Sequence, residues 1–234
     1  MAEDRWVTFD CFGTLIDWLG GFRNILSPIA GEQIERLLLA YHDAERALEA
    51  EGPHYSYRHV LTAGLTRAAE ETGVTLAPED ADLLARRWGE LPLYPDVPEA
   101  LDALRAAGWK TAVLTNCDND LFAATLACNP ALRPDMIITA EEVGSYKPEF
   151  GHFLRFEAQT GVSRRNWVHA ANSWFHDIDP ARRFGITRIW VNRDKTGHDP
   201  AAASCVVDDV ASLPGALEQF LPNQTGSKPR TKSA

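Results

Sequence analysis

The chain has 234 residues, with 23 Lys and Arg against 33 Asp and Glu and a formal net charge of −10. This acidity excludes a nucleic-acid binder, which needs a basic face for phosphate, and adsorption to anionic membrane surfaces. At 45% hydrophobic the chain can bury a core without staples, as one large domain or a domain carrying an insertion.

Met1 to Arg5 is polar and acidic, unlike a signal peptide, and no apolar run approaches the roughly 18 residues of a membrane span. Cys11, Cys117, Cys128 and Cys205 include no C-x-x-C pair. That spacing argues against zinc and for reduced thiols, so a cytoplasmic protein is expected.

Taken in order, Trp6-Val7-Thr8-Phe9 reads as a first strand with Asp10 at its carboxyl end and a Gly-containing turn, Cys11 to Thr14, behind it. From Asp17 to Leu93 no convincing strand occurs. Ile34, Leu37, Leu38, Tyr41, Ala44 and Leu48 instead fall on one helical stripe, and Tyr57–Glu71 and Glu79–Trp88 are further helical candidates. Leu91 to Pro98 reads as the return linker.

Strands and helices then alternate. Strands are expected at Lys110–Leu114, Met136–Thr139, Trp167–Ala170, Arg188–Val191 and Cys205–Val207. Helical patterns lie at Val97–Leu104, after Asp118, and around Phe150, Phe153 and Leu154. Short apolar runs of this kind fit strands buried on both faces. The expectation is an α/β fold: a doubly wound, Rossmann-like parallel sheet from 1–16 and 94–221, with an all-helical cap over 17–93 inserted and a disordered tail over 222–234. In such sheets ligands bind beyond the carboxyl ends of the strands.

Asp10-Cys11-Phe12-Gly13-Thr14-Leu15-Ile16-Asp17 holds most of the chemistry: a carboxylate ending an apolar strand, then a tight turn whose amides can face an anion. This segment resembles the first motif of the haloacid dehalogenase superfamily, D-x-x-G-T-L-x-D. Leu114-Thr115-Asn116, Lys147-Pro148 and Asn172 to Asp177 follow in the order and settings of the other three motifs.

The resemblance implies that Asp10 is a covalent nucleophile, a role open to an oriented, partly desolvated carboxylate. It implies that Lys147 keeps Asp10 ionised and attracts an anion, and that Cys11, Phe12, Thr14, Trp18, Thr115 and Asn116 surround the substrate. Asn172 and Asp177 would position or activate water, with Asp177 standing two residues later than the family spacing. The phosphatases of the superfamily carry an acid two residues after the nucleophile, where this chain has Phe12, and an Asp-rich fourth motif for Mg²⁺, where it has Asn172. A halide leaving group needs no acid, so both departures point to the branch resembling L-2-haloacid dehalogenases. That branch implies a small carboxylate substrate, no cofactor or metal, and, since its members commonly pair cap to cap, a homodimer as one expected state.

The competing reading is a phosphate-ester or phosphonate hydrolase, which requires Mg²⁺ and another acid. A weakly catalytic binding protein is the reading from a different class. It is motivated by Leu38, which stands where the similar dehalogenases carry a halide-binding Arg on the cap; His42 and Arg46 are the substitutes nearby. Trp18, Trp88 and Trp174 are candidates for an apolar wall, His176 for a base, and His169 for a core histidine.

Overall fold

The computed structural model describes residues 4–51 and 54–220; the tail expected over 222–234 lies outside them. Six strands form one parallel sheet in the order β3-β2-β1-β4-β5-β6. They are β1 (Arg5–Phe9), β2 (Trp109–Thr115), β3 (Met136–Thr139), β4 (Trp167–Ala171), β5 (Thr187–Val191) and β6 (Cys205–Val207). The helices are α1 (Trp18–Ala30), α2 (Ile34–Ala50), α3 (Tyr57–Thr72), α4 (Leu83–Arg86), α5 (Val97–Ala106), α6 (Asn119–Cys128), α7 (Ala140–Val143), α8 (Gly151–Thr160), α9 (Asp179–Phe184) and α10 (Leu213–Glu218). This is the doubly wound α/β sheet that the alternating pattern predicts.

The central strand is β1, with Thr8 opposite Ala112 of β2 and His169 of β4. Both of its faces are covered, which is why it reads as an unbroken apolar run. Side chains alternate across the sheet: Val7, Phe9 and Val113 join the core that continues into the helical insertion, whereas Trp6, Leu114 and Trp167 pack on the other face with Phe153, Phe156 and Phe184. Leu154, expected on the face of Phe153, is 54% exposed; the buried residues of α8 are His152, Phe153 and Phe156. The order of connections reverses between β1 and β4, and Asp10 stands at that crevice.

The described residues of 17–93 contain α1 to α4 and no strand. Asp17 starts α1 by accepting the Gly20 N–H at 2.9 Å, an N-cap. The stripe Leu37, Leu38, Tyr41 and Leu48 of α2 is buried against α3, and Gly64 permits close approach: a Cβ there would stand 3.2 Å from the Tyr41 ring. The helix expected over Glu79–Trp88 forms only as α4, between 3₁₀ turns at Pro78–Asp80 and Trp88–Glu90. Tertiary packing overrides helical preference here. The break turns Trp88 inward to meet the rings of Phe12, Phe22 and Tyr57 at 4.4, 5.9 and 5.4 Å.

Two ties fix this insertion to the sheet. At its base, Ile16 bridges Leu93, the Asp17 N–H donates to Pro92 O (2.9 Å), and the Tyr94 N–H donates to Leu15 O (3.0 Å). The second tie is Asp118, beyond β2. Its carboxylate accepts the N–H groups of Tyr57 and Arg58 at 2.7 and 2.9 Å, so it caps α3 rather than its own helix, as the sequence suggests. The Arg58–Asp120 ion pair at 2.6 Å adds to the same contact.

Candidate active site

A cavity of about 290 Å³ lies between the insertion and the carboxyl ends of the strands. Asp10, Phe12, Trp18, Thr115, Asn116, Lys147, Asn172 and Asp177 all line it, so side chains spread over most of the sequence meet at one place. Trp88 and Trp174 are also in the wall.

Lys147 organises the floor. Its Nζ donates to Asp10 Oδ1 at 2.8 Å, to Asp177 Oδ1 at 2.7 Å and to Leu114 O at 3.0 Å, which uses all three of its protons. Burial opposes the charge on Lys147, but Asp10 and Asp177 outweigh it and raise its pKa further above the ordinary lysine range. Burial raises Asp10, with Lys147 opposing. Burial also acts on Asp177, yet Lys147 and His169 hold its pKa well below the usual carboxylate range. The floor is therefore a desolvated carboxylate and a firmly ionised one sharing one ammonium.

A hydrogen-bonded frame holds these groups. Thr14 Oγ1 donates to Asp10 Oδ2 (2.7 Å) and accepts the Asn172 N–H (2.9 Å). The Asp177 Oδ1 also meets His169 Nε2 at 3.0 Å, and His169 Nδ1 meets Thr8 Oγ1 at 2.9 Å. Trp167 Nε1 donates to that same Thr8 oxygen at 2.8 Å. His169 is thus buried as expected, but it orients Asp177 rather than merely filling the core. The π-helical turn Trp174–Ile178 brings Asp177 to Lys147 despite the longer spacing from Asn172. Arg193 pins the turn after Asp10 from outside, through Thr14 O (3.0 Å) and Asp96 (2.8 Å).

Several predicted site residues sit differently from expectation. Cys11 is fully buried and does not line the cavity; its carbonyl accepts the N–H groups of Thr14, Leu15 and Ile16. With Gly13 N–H donating to Ile16 O, only the amides of Cys11 and Phe12 remain outside the turn's own bonding. Thr14 acts through Asp10 and does not line the cavity itself. Asn116 clamps the Lys147 backbone, donating to its carbonyl at 3.1 Å and accepting its N–H at 2.7 Å, while also donating to Glu49 at 3.2 Å. Asn172 turns its amide to Asp194 (2.7 Å).

The donor set suits Mg²⁺ poorly. An ammonium occupies the position between Asp10 and Asp177, and among the described residues no group of three His, Cys, Asp or Glu is placed to hold a metal ion.

Leu38 is 3% exposed inside the insertion's apolar core and is not part of the cavity wall. The face of α2 toward the cavity carries His42, Glu45, Arg46 and Glu49 instead. His42 lies beside Trp18 (5.7 Å between rings) and 3.3 Å from Glu45, and Arg46 covers the Phe175 ring at 5.0 Å. Glu45 accepts the hydroxyls of Tyr57 and Tyr41. Leu38→Arg is expected to destabilise the protein rather than to supply a halide partner. Forcing a charge into this packed cluster costs roughly 3 kcal/mol or more, read as a lower midpoint in urea.

Sequence reasoning missed Glu45, Glu49, Tyr57 and Ser173. The two Glu fall on the polar side of α2, where a solvated face is the ordinary expectation, and only docking onto the sheet turns that side inward.

A family model described as haloacid dehalogenase-like hydrolase matches residues 5–213. The (S)-2-haloacid dehalogenase 1 of Pseudomonas sp. (strain CBS-3) is 29% identical over 202 residues, 82% of this chain and 86% of that protein. The phosphoserine phosphatase of Thermus thermophilus is 31% identical, over 58% of this chain and 56% of that protein. The solved L-2-haloacid dehalogenase of Xanthobacter autotrophicus with chloropropionic acid covalently bound shares the fold, with a TM-score of 0.79 at 18% identity, over 94% of this chain and all of that one.

Proposed function

The chain belongs to the haloacid dehalogenase-like hydrolases, and on that premise we propose that it hydrolyses the carbon–halogen bond of a small (S)-2-haloacid, with residues 17–93 as its cap. The observation that carries this reading is Phe12, which stands where a leaving-group acid would be needed for an alcohol and packs instead on Trp88 at 4.4 Å. A halide departs without a proton, so an apolar wall suffices there. The (S)-2-haloacid dehalogenase relative, matched over most of both chains, supports the same choice.

In the first step an Asp10 carboxylate oxygen attacks C2. The C–O bond forms as the C–halogen bond breaks, and the halide leaves with the electron pair. Burial strips water from Asp10 and sharpens it as a nucleophile, while Lys147 and Thr14 hold both its oxygens in place. In the second step water adds to the Asp10 carboxyl carbon, and the ester C–O bond breaks. The 2-hydroxy acid leaves with one of the water's protons, and the other passes to solvent. We assign Asp177 to orient that water, because it lines the cavity and its Oδ2 is buried with no hydrogen-bond partner while Oδ1 is fixed by Lys147 and His169. The four cysteines stand as free thiols, two of them buried, which supports a reducing, cytoplasmic setting.

Halide release from (S)-2-chloropropionate is expected to persist in excess EDTA. Single turnover in ¹⁸O-water is expected to place label in the Asp10 carboxylate, read by peptide mass spectrometry. Phosphate-ester hydrolysis that requires added Mg²⁺, with no halide release, would establish the competing hydrolase instead.

A further inference from the structure

A second chain of contacts lies in the cavity wall, beside the Lys147 floor. Glu49, near the end of α2, meets His176 Nε2 at 3.2 Å, and His176 Nδ1 lies 3.1 Å from Ser173 Oγ. The same Ser173 oxygen accepts the backbone N–H of His176 at 3.2 Å. All three side chains line the cavity, and the first belongs to the insertion while the other two belong to the sheet domain. Resting on the reading that this cavity takes a small carboxylate, we propose that His176 is a positioning residue. It sets the direction of the Ser173 hydroxyl, so that Ser173 donates to the anionic end of the substrate while Glu49 is docked.

The argument is one of donor counting. A serine hydroxyl has one proton and two acceptor sites. When His176 carries both protons, its backbone N–H and its Nδ1–H fill both sites, and the Ser173 proton must point elsewhere, into the cavity. When His176 is neutral, Glu49 retains the proton on Nε2, Nδ1 becomes an acceptor, and the Ser173 proton turns back to it. The hydroxyl is then lost to the substrate. Two protonation states of one imidazole thus give a donating and a withdrawn serine. This is a neutral donor controlled by a cation, in a cavity whose wall does not include Leu38.

The charged groups around the imidazole favour the donating state. Burial disfavours the cation, but Glu49 from α2 and Asp177 next in the chain favour it and Lys147 opposes; the balance raises the His176 pKa above the ordinary value. The other titratable or charged groups lining the cavity, among the described residues, are His42, Glu45 and Arg46 of α2, Tyr57 of α3, Asp194 and His198 beyond β5, and Asp10. Burial likewise raises Glu49, with His176 opposing. Anion binding is therefore expected in a pH window closed below by protonation of Glu49 and above by deprotonation of His176. The device also couples binding to closure, since Glu49 reaches His176 only with the insertion docked.

The test uses propionate, an unreactive carboxylate, with the full chain. Its affinity is measured by calorimetry across pH, while the His176 ring resonance, assigned by its loss in His176→Gln, reports the imidazole directly. Propionate affinity is expected to fall about tenfold per pH unit above the His176 titration. Glu49→Gln is expected to move both the titration and the affinity limb to lower pH together. Ser173→Ala, which leaves His176 in place, is expected to flatten the limb. A limb that does not track the His176 resonance, a Glu49→Gln titration that moves without the affinity, or no propionate binding at any pH overturns the proposal. Haloacids that are never hydrolysed, while propionate still follows His176, would sink the dehalogenase reading and leave this one standing.

Discussion

Asp10→Asn is expected to lower halide release by at least about a thousandfold, because the carboxylate proposed as nucleophile becomes an amide of little nucleophilicity. The loss should fall on kcat. The variant should remain folded, since its side-chain oxygen still accepts from Lys147 and Asp177 still pairs that ammonium at 2.7 Å. Thr14 need only rotate its proton, as its oxygen has a second acceptor site beside the bond from the Asn172 N–H. Steady-state halide assays and a urea titration separate the two effects. A folded Asp10→Asn protein with activity near that of the parent would remove Asp10 from the chemistry.

Lys147→Ala is expected to abolish activity and also to destabilise the fold, by about 3–5 kcal/mol near neutral pH, because it leaves two buried carboxylates without their cation. Lys147→Met, which restores most of the volume, isolates the charge effect. The cost should also depend on pH. In the parent, Asp177 is held below its ordinary pKa, so its contribution is present above the unfolded carboxylate range and is lost as pH falls through the folded pKa. In either variant Asp10 and Asp177 lose the ammonium and keep their burial, so their folded pKa values rise above the unfolded ones. Their penalty is absent in acid and grows as pH rises through those raised values. The loss of urea midpoint from parent to variant should therefore be larger at about pH 7 than at about pH 4. Equal losses at the two pH values would show that Lys147 does not carry the charge balance of the floor.

Much of this is legible in the chain. The strands read clearly because burial on both faces leaves runs such as Trp6–Phe9 and Lys110–Leu114, and a doubly wound sheet gathers whatever stands at their carboxyl ends. Asp10, Thr115, Lys147 and Asp177 are at or near such ends, so their convergence follows once the alternation is recognised. The long stripe of α2 is equally clear from its period.

What the sequence alone determines is what local backbone geometry and short-range periodicity dictate: the sheet, the long helices and the floor of the cavity. The tertiary structure decides what depends on docking distant segments. Asp118 reads as the start of α6 and caps α3 instead. Cys11, next to the nucleophile, turns away from the cavity. Trp88 lies outside α4, in a 3₁₀ turn, and packs on Phe12. Glu49 meets His176 only because α2 packs over the strand ends, and His176 meets Ser173 at the start of a π-helical turn that the sequence does not announce. No local pattern encodes these contacts, since each is fixed by the packing of surfaces whose residues lie far apart in the chain or by a turn whose form that packing selects.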